Sequence, residues 1–214
     1  EMSSRGLGDV YKRQDKNTLL SEENAPDLLI VPKPMKPFSE QHKLEIDQYI
    51  MQGGKVLWML DKAIADLDSF RVSPQYTSVA IDLNLEDQLF KYGVRINPDL
   101  VQDYYCNPIP VTEDVGGGQT QTNLFPWVFH PIISANNDHP IGKNMDPVAL
   151  EFASSIDTIR VANVDKTVIL STSEYARKSG VPVALDLGIA RVEPLPEYFD
   201  MSYIPLGVLS LIHI

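Results

Sequence analysis

The sequence predicts an α/β fold with a doubly wound, mostly parallel β-sheet. Two short apolar runs, 28–31 and 56–60, have the unbroken hydrophobicity typical of strands that are buried on both faces of a parallel sheet. Three prolines follow the first run and disfavour both ladder pairing and helix, so the chain must leave the sheet there. A helical pattern fills the space before the second run. The stretch 27–61 therefore predicts one complete strand–helix–strand unit.

The helix of this unit has recognisable ends and an apolar stripe. Ser39 is a good N-cap, because its hydroxyl can accept a hydrogen bond from a free amide of the first turn. Gly53 and Gly54 end the helix, since glycine reaches the left-handed conformation without strain. Four apolar residues at roughly 3.6-residue spacing are expected to form the stripe: Leu44, Ile46, Tyr49 and Ile50.

A β-hairpin insertion is predicted at about 100–133. The segments 100–111 and 119–133 alternate apolar and polar residues, and three consecutive glycines, 116–118, lie in the loop between them. Prolines in both segments confine these strands to sheet edges or bulges. We therefore expect an antiparallel excursion appended to a parallel sheet of the flavodoxin- or amidotransferase-like kind.

The composition indicates a globular chain and excludes several partners. The 214 residues include 43% hydrophobic and 22% charged residues, which suits one large domain with a true core. The formal net charge is −11, so the chain lacks the basic surface that nucleic acid or anionic lipid would require. No apolar run approaches the roughly 18 residues that span a bilayer.

The sequence predicts no cofactor, no metal site and no catalytic activity. The glycine run 116–118 lacks the lysine and the following helix of a phosphate-binding loop, so a flexible hairpin tip is the better interpretation. The histidines His42, His130 and His139 do not have the spacing of metal ligands. Cys106, the single cysteine, lies in a strand-like stretch, where a small buried hydrophobe is expected rather than a nucleophile.

Five side chains are candidates for contact with a ligand or a partner. Asp61 ends the second predicted strand and Asp66 follows it, at the sheet edge where ligands bind in open α/β folds. These carboxylates could serve acid–base chemistry or bind a cation, although turn formation is favoured. Trp127 offers apolar area and a polar handle to a carbohydrate or a protein, unless it fills the core. His139 and Asn144 share a loop that their side chains could instead structure through hydrogen bonds to the backbone.

Both ends of the chain differ from the rest. The first stretch, 1–14, has no apolar period, and the last, 210–214, stops a strand-like pattern in the middle. Both look like translated read-through of sequencing adapters, and we exclude them from the fold prediction. The expected native part is a single α/β domain, 15–209.

Four stretches carry a resemblance to a known family. They are DLLIVPKP at 27–34, FSEQHKLEIDQYIMQGGKVLWMLD at 38–61, PWVFHPI at 126–132 and HPIGKNMDPV at 139–148. In these stretches the chain resembles the soluble region of the GldG family, whose members are auxiliary components of bacterial ABC transporters associated with gliding motility. More distantly, it is similar to a domain of intraflagellar transport proteins that serves as a protein-interaction module.

The resemblance implies a function without catalysis. It implies an extracytoplasmic domain of a membrane-anchored auxiliary subunit, which faces the periplasm at the bacterial inner membrane and works in gliding motility or export. The implied partners are ABC permease and ATPase subunits, and the family's membrane helices lie outside the stretch seen here. The alternative is a hydrolase or carbohydrate-binding domain on an amidotransferase-like fold. A hydrolase would need a nucleophile, a base and oxyanion donors in one cleft.

Overall fold

The computed structural model describes residues 25–213, apart from the side chains of 113–115. This part of the chain forms two compact units. The first contains residues 25–61 and 82–88, and the second contains residues 62–81 and 89–213. The predicted foreign segment 1–14 lies outside the described residues, so its origin stays a prediction.

The first unit contains the predicted strand–helix–strand motif. It consists of β1 (Leu29–Pro32), α1 (Glu40–Met51) and β2 (Val56–Met59). The two strands pair in parallel, with Ile30 opposite Leu57. Tyr49 ties the helix to the strand starts, because its hydroxyl donates to the Pro26 carbonyl at 2.7 Å and accepts from the Lys55 amide at 3.3 Å. The motif therefore forms as the apolar runs and the helical period predict.

The helix is capped as predicted, but its buried face differs from the prediction. The Ser39 hydroxyl accepts a hydrogen bond from a first-turn amide at 3.2 Å, and Gly53 adopts a left-handed φ of +90° after the last turn. Leu44 is 58% exposed, whereas Lys43 is buried with its ammonium 2.8 Å from the Asp87 carboxylate. The predicted stripe is wrong at Leu44. The ion pair joins Lys43 to Asp87, a residue distant in sequence, and it orients this face of the helix in a way that periodicity cannot show.

The second unit is built almost entirely from strands. Its strands are β3 (Gln75–Ser78), β4 (Val94–Ile96), β5 (Asp99–Asp103), β6 (Cys106–Gly116), β7 (Gln119–Ala135), β8 (Val148–Ala149), β9 (Ile156–Thr158), β10 (Val164–Ser171), β11 (Ala176–Gly180), β12 (Val183–Asp186) and β13 (Pro205–Ile212). Its 3₁₀ helices are Asp68–Arg71, Leu187–Arg191 and Pro196–Tyr198. The short helix α2 (Glu86–Lys91) starts in the first unit and ends in the second.

The predicted doubly wound parallel sheet is wrong. The largest sheet has the antiparallel order β13-β10-β7-β6, with β8 added to β7, and three further antiparallel pairs are β11–β5, β12–β3 and β4–β9. Strand accounts for 42% and helix for 16% of the structure. Parallel strands need a crossover of about a dozen residues or more, and α1 is the one helix of that length in the described chain. After β2, every strand pair of the described chain is antiparallel.

The predicted hairpin forms, but its place in the sheet differs from the prediction. β6 and β7 pair antiparallel around a tip at Gly116, Gly117 and Gly118, all three with positive φ. The sequence predicts a hairpin that is appended to a parallel sheet. In the structure, β7 is an inner strand of the largest sheet and β6 is an edge strand of that sheet. The predicted first strand, 100–111, is divided between β5 and β6.

The core of the second unit gathers around the middle of β7. Its members are buried apolar residues from separate elements: Ala63, Ala65, Leu100, Ile109, Val111, Trp127, Val128, Phe129, Phe152, Leu185, Ala190 and Phe199. Phe152 accepts a left-handed φ of +51° to place its ring there. At the other end of the unit, residues 210–212 belong to β13 and pair with β10. The foreign origin predicted for 210–214 stays a prediction.

Candidate functional site

Asp61 follows the carboxyl end of β2, as predicted, and forms an ion pair there. Its Oδ2 is 3.0 Å from Nζ of Lys33, the residue that follows β1. Both side chains keep contact with solvent, so water screens the pair and its contribution to stability is small. A ligand at this position would have to displace or share the lysine, and the role of Asp61 as a ligand contact stays a prediction.

Asp66 structures the turn before the 3₁₀ helix Asp68–Arg71. Its carboxylate accepts hydrogen bonds from the amide and the hydroxyl of Ser69, at 2.7 and 3.2 Å. The Tyr76 hydroxyl donates to the Asp66 carbonyl at 2.7 Å and accepts from the Asp66 amide at 3.0 Å. These contacts correspond to the turn-forming alternative, because the Asp66 carboxylate is already hydrogen-bonded to Ser69.

Trp127 fills the core and is fully buried. Its ring meets the Phe70 ring edge-on, with 5.6 Å between centroids, and Phe70 lies 4.8 Å from the Tyr76 ring. The structure thus connects Trp127 to Asp66 through two aromatic rings. Because the indole has no exposed surface, the core-filling alternative accounts for its position.

His139 and Asn144 lie together in a turn after β7. The His139 Nδ1 accepts a hydrogen bond from the Ile141 amide at 3.2 Å. The backbone carbonyl of His139 accepts another from the Gly142 amide at 2.9 Å. Asn144 is exposed and has a left-handed φ of +60°, a conformation that asparagine tolerates well. The hydrogen bond to the His139 ring corresponds to the loop-structuring alternative. Contact of this turn with a ligand stays a prediction.

Two buried carboxylates escape the sequence analysis, and both belong to β5. Asp103 is fully buried. Its oxygens accept hydrogen bonds from the Ser173 amide and hydroxyl, each at 2.7 Å, and from the Tyr105 amide at 2.8 Å. Because Ser173 lies just before β11, its two hydrogen bonds hold the end of β5 against the segment that leads into β11.

Asp99 has the same function at the other end of β5. Its carboxylate accepts from the Ser155 hydroxyl at 2.6 Å and from the Ser155 amide at 2.8 Å, while its carbonyl accepts from the Ser154 hydroxyl at 2.9 Å. Each serine lies more than 50 positions away along the chain. Both aspartates are end residues of a strand that also contains Gln102, so no polar residue interrupts an apolar run, and the sequence does not reveal their partners.

Cys106 is electrostatically unsuited to nucleophilic chemistry. Burial raises the pKa of its thiol to about 11, and the nearby Asp103 carboxylate acts in the same direction. The thiolate is the reactive form of cysteine, and it is scarcely populated at neutral pH when the pKa is this high. Cys106 is half-buried rather than buried as the sequence predicts, and its environment suits a small hydrophobe better than a nucleophile.

His130 is a buried imidazole on β7. It is 3% exposed, and its ring stands edge-on to Phe152 with 5.0 Å between centroids. Its Nε2 has no hydrogen-bond partner within the described residues. Burial lowers the pKa of His130, while the charge of Glu151 acts weakly in the opposite direction. The imidazole is therefore held neutral at physiological pH.

The first unit presents an apolar surface that the sequence analysis missed. Because Ile30 pairs with Leu57 and Pro32 with Met59, alternation places Leu28, Ile30, Leu57 and Met59 on one side of the two strands. Each of these four side chains is between 46% and 54% exposed. We call these four residues the open face. Val31 and Trp58 point the opposite way, where Val31 is buried and Trp58 stands edge-on to Phe38.

Residues 25–213 contain no group of three or more histidine, cysteine, aspartate or glutamate side chains that could hold a metal ion. Among the same residues, no helix is both long and apolar enough to cross a membrane.

The sequence places the chain among components of ABC transport systems. It belongs to the family described as ABC-type uncharacterized transport system, whose model matches residues 10–210. Searches of curated proteins and of solved structures found no match. The family membership establishes an auxiliary role in an ABC transport system and an association with that system.

We expect Asp103→Ala to destabilise the second unit by about 3 kcal/mol, because it leaves three buried donors without their charged acceptor. Asp138→Ala is the matched control, since Asp138 is exposed and its backbone amide, which alanine retains, donates the hydrogen bond to the Asn136 side chain. The control should change stability by no more than about 0.5 kcal/mol. Urea unfolding of the three proteins measures both values, and equal effects would contradict the structural role of Asp103.

We expect acid to destabilise the protein partly through His130. Its folded-state pKa is lowered, so below about pH 6.5 the unfolded chain takes up the proton first, and the folded state loses stability as the pH falls. His130→Gln removes this titration. Urea unfolding at about pH 7.5 and about pH 5.5 should show a smaller loss in the variant than in the wild type. An identical loss in both proteins would show that His130 carries none of the pH dependence.

Proposed function

We propose that this chain is a non-enzymatic, extracytoplasmic domain of an auxiliary ABC transport subunit, and that it acts by binding the permease and ATPase subunits of its system. The family membership supports the transport assignment. The observation that carries the binding role is the open face, since four large apolar side chains lie side by side without cover.

A helix with an apolar stripe is the occupant that the open face fits best. Parallel strands are almost always covered by helices on both faces, because their side chains are apolar on both sides. β1 and β2 are apolar on both sides. The side that carries Val31 is covered, whereas the open face is exposed. A helix from a transporter subunit would complete the arrangement and bury the four side chains.

The polar chemistry of the second unit supports a role without catalysis. The serines that lie beside carboxylates, Ser155 and Ser173, donate their hydroxyl protons to Asp99 and Asp103 in contacts that join strands. Neither contact includes an imidazole base, which an activated serine nucleophile requires. The raised pKa of the Cys106 thiol favours the same conclusion.

The cellular role follows from the resemblance to the GldG family. The stretches 27–34 and 38–61 carry much of that resemblance, and they form the motif that bears the open face. We therefore propose a role in gliding motility or export, with the domain on the periplasmic side of the bacterial inner membrane. The membrane helices typical of the family would anchor the full subunit.

The proposal predicts that Leu57→Asp separates the subunit from its transporter. The subunit is expressed with its neighbouring permease and ATPase genes and purified in mild detergent through a tag on the subunit. A buried carboxylate in an apolar contact should lower recovery of the partners by roughly tenfold or more. Val72→Asp is the control, because Val72 is 93% exposed and belongs to the second unit.

The control should recover as much permease and ATPase as the wild type. Equal losses in both variants would contradict the open face as the contact surface. If neither subunit accompanies the wild-type protein, the proposed function itself is wrong.

A further inference from the structure

Three tyrosines of the second unit pack against one another where β5 ends and β11 begins. Tyr104 and Tyr105 directly follow β5, and Tyr175 directly precedes β11, which pairs antiparallel with β5. The ring centroid of Tyr104 lies 5.4 Å from that of Tyr105 and 6.1 Å from that of Tyr175. The Tyr105 and Tyr175 centroids are 6.5 Å apart. Tyr105 is 52% exposed, so the group presents aromatic surface to solvent.

A fourth tyrosine reaches the same place from the segment before β13. The Tyr203 amide donates a hydrogen bond to the Ser173 carbonyl at 2.8 Å, and the Ser202 hydroxyl donates to the Glu174 carbonyl at 2.9 Å. Tyr203 is 64% exposed, and it has a left-handed φ of +53°, which is uncommon for a bulky side chain. We call these four residues the tyrosine patch: Tyr104, Tyr105, Tyr175 and Tyr203.

The buried carboxylate of Asp103 fixes the backbone of the tyrosine patch. It accepts hydrogen bonds from the Tyr105 amide at 2.8 Å and from the Ser173 hydroxyl at 2.7 Å. The Ser173 oxygen accepts in turn from the Tyr175 amide at 3.0 Å. The Tyr104 amide donates to the Tyr175 carbonyl at 2.9 Å. The patch is thus preorganised, which lowers the entropic cost of binding a partner.

The tyrosine patch includes a negative charge beside its rings. Glu174 is exposed and directly precedes Tyr175. The charge of Glu174 is the largest cause that raises the pKa of the Tyr175 phenol, and the phenols of Tyr105 and Tyr203 act in the same direction. A negative potential that disfavours a phenolate favours a cation at the same position. The faces of aromatic rings attract cations as well.

An adjoining ring already holds a guanidinium of this chain. The Phe199 centroid lies 6.1 Å from that of Tyr104, and the guanidinium carbon of Arg177 lies 6.0 Å from the Phe199 centroid. The Arg177 Nε donates a hydrogen bond to the Gln102 side chain at 2.9 Å, which fixes the guanidinium there. The same aromatic group therefore binds one arginine internally and presents the exposed Tyr105 ring outside.

We propose that the tyrosine patch binds an arginine side chain of a partner protein. The guanidinium lies on the exposed ring of Tyr105 and donates hydrogen bonds to the Glu174 carboxylate. Arginine fits better than lysine, because its planar group stacks on a ring and matches the geometry of a carboxylate.

The charge of the whole chain favours a basic partner. The formal net charge of −11 attracts a positively charged segment and repels an acidic one. Tyrosine and arginine are also among the residues that dominate the binding energy of protein interfaces. The tyrosine patch and the open face belong to different units, so this proposal does not depend on the proposed function.

A labelled tetra-arginine peptide, blocked at both ends, tests the charge requirement. The matched control is a tetra-citrulline peptide with the same label, because citrulline has nearly the same shape as arginine and no charge. Fluorescence anisotropy with the 214-residue chain measures both dissociation constants at about 150 mM salt, which screens diffuse attraction. The arginine peptide should bind roughly tenfold more tightly or better.

Five variants test the position of the contact. Tyr105→Ala removes the ring and Glu174→Gln removes the charge, and each should raise the dissociation constant of the arginine peptide roughly two- to fivefold. Tyr105→Phe keeps the ring and should keep the wild-type value. The controls are Phe90→Ala, which removes another half-exposed ring, and Asp146→Asn, which removes another exposed carboxylate. Both controls should bind like the wild type.

The glutamate variant keeps the test decisive if Tyr105→Ala disturbs the fold, since Glu174 contacts Ser202 through its backbone carbonyl. Three outcomes would overturn the proposal. The first is failure of the arginine peptide to bind, or equal binding of the citrulline peptide, as expected of a surface for uncharged segments. The second is wild-type affinity in Glu174→Gln or in a folded Tyr105→Ala. The third is equal weakening by Asp146→Asn, which would show diffuse attraction to an acidic chain.

Discussion

The pairing of β7 is the constraint on which the second unit depends. This strand of 17 residues contacts β6, β8 and β10 at different positions along its length. Where the strands converge, residues 127–131 are buried on both faces of the strand. Trp127 and Phe129 supply the rings around which the core is packed. The neutral state of His130 follows from the same burial, because a charged imidazole without a partner is costly there.

Buried carboxylates fix the position of β5 relative to the rest of the unit. Hydrophobic burial is non-directional and would tolerate several positions of a short strand. The contacts of Asp99 with Ser155 and of Asp103 with Ser173 are directional, and they hold opposite ends of the strand. A register shift would leave buried charges without donors, so these contacts select one arrangement. The interior of the second unit is thus specified by polar pairs, while the open face of the first unit stays exposed.

Local structure could be predicted from the sequence because its signals are local. The apolar runs, the Ser39 cap and the glycines at 53 and 116–118 are sufficient for the strand–helix–strand motif and the hairpin. The sheet could not be predicted, because strand pairing depends on contacts distant in sequence. The run at 28–31 also has the appearance of a strand buried on both faces, and its alternate residues Leu28 and Ile30 are half-exposed. The open face was missed for that reason. Among the predicted site residues, Asp66, Trp127 and His139 have structural contacts that account for them.

The central claim is that β7 organises the second unit, and hydrogen exchange of backbone amides tests it most directly. Amides in the buried part of a strand that ties several elements together open only with the whole unit, so their exchange reports its full stability. The account predicts that residues 128–135 contain the slowest amides of the second unit, slower than those of β12 and β3. Rapid exchange across 128–135, with the slowest amides in β12 and β3, would contradict it.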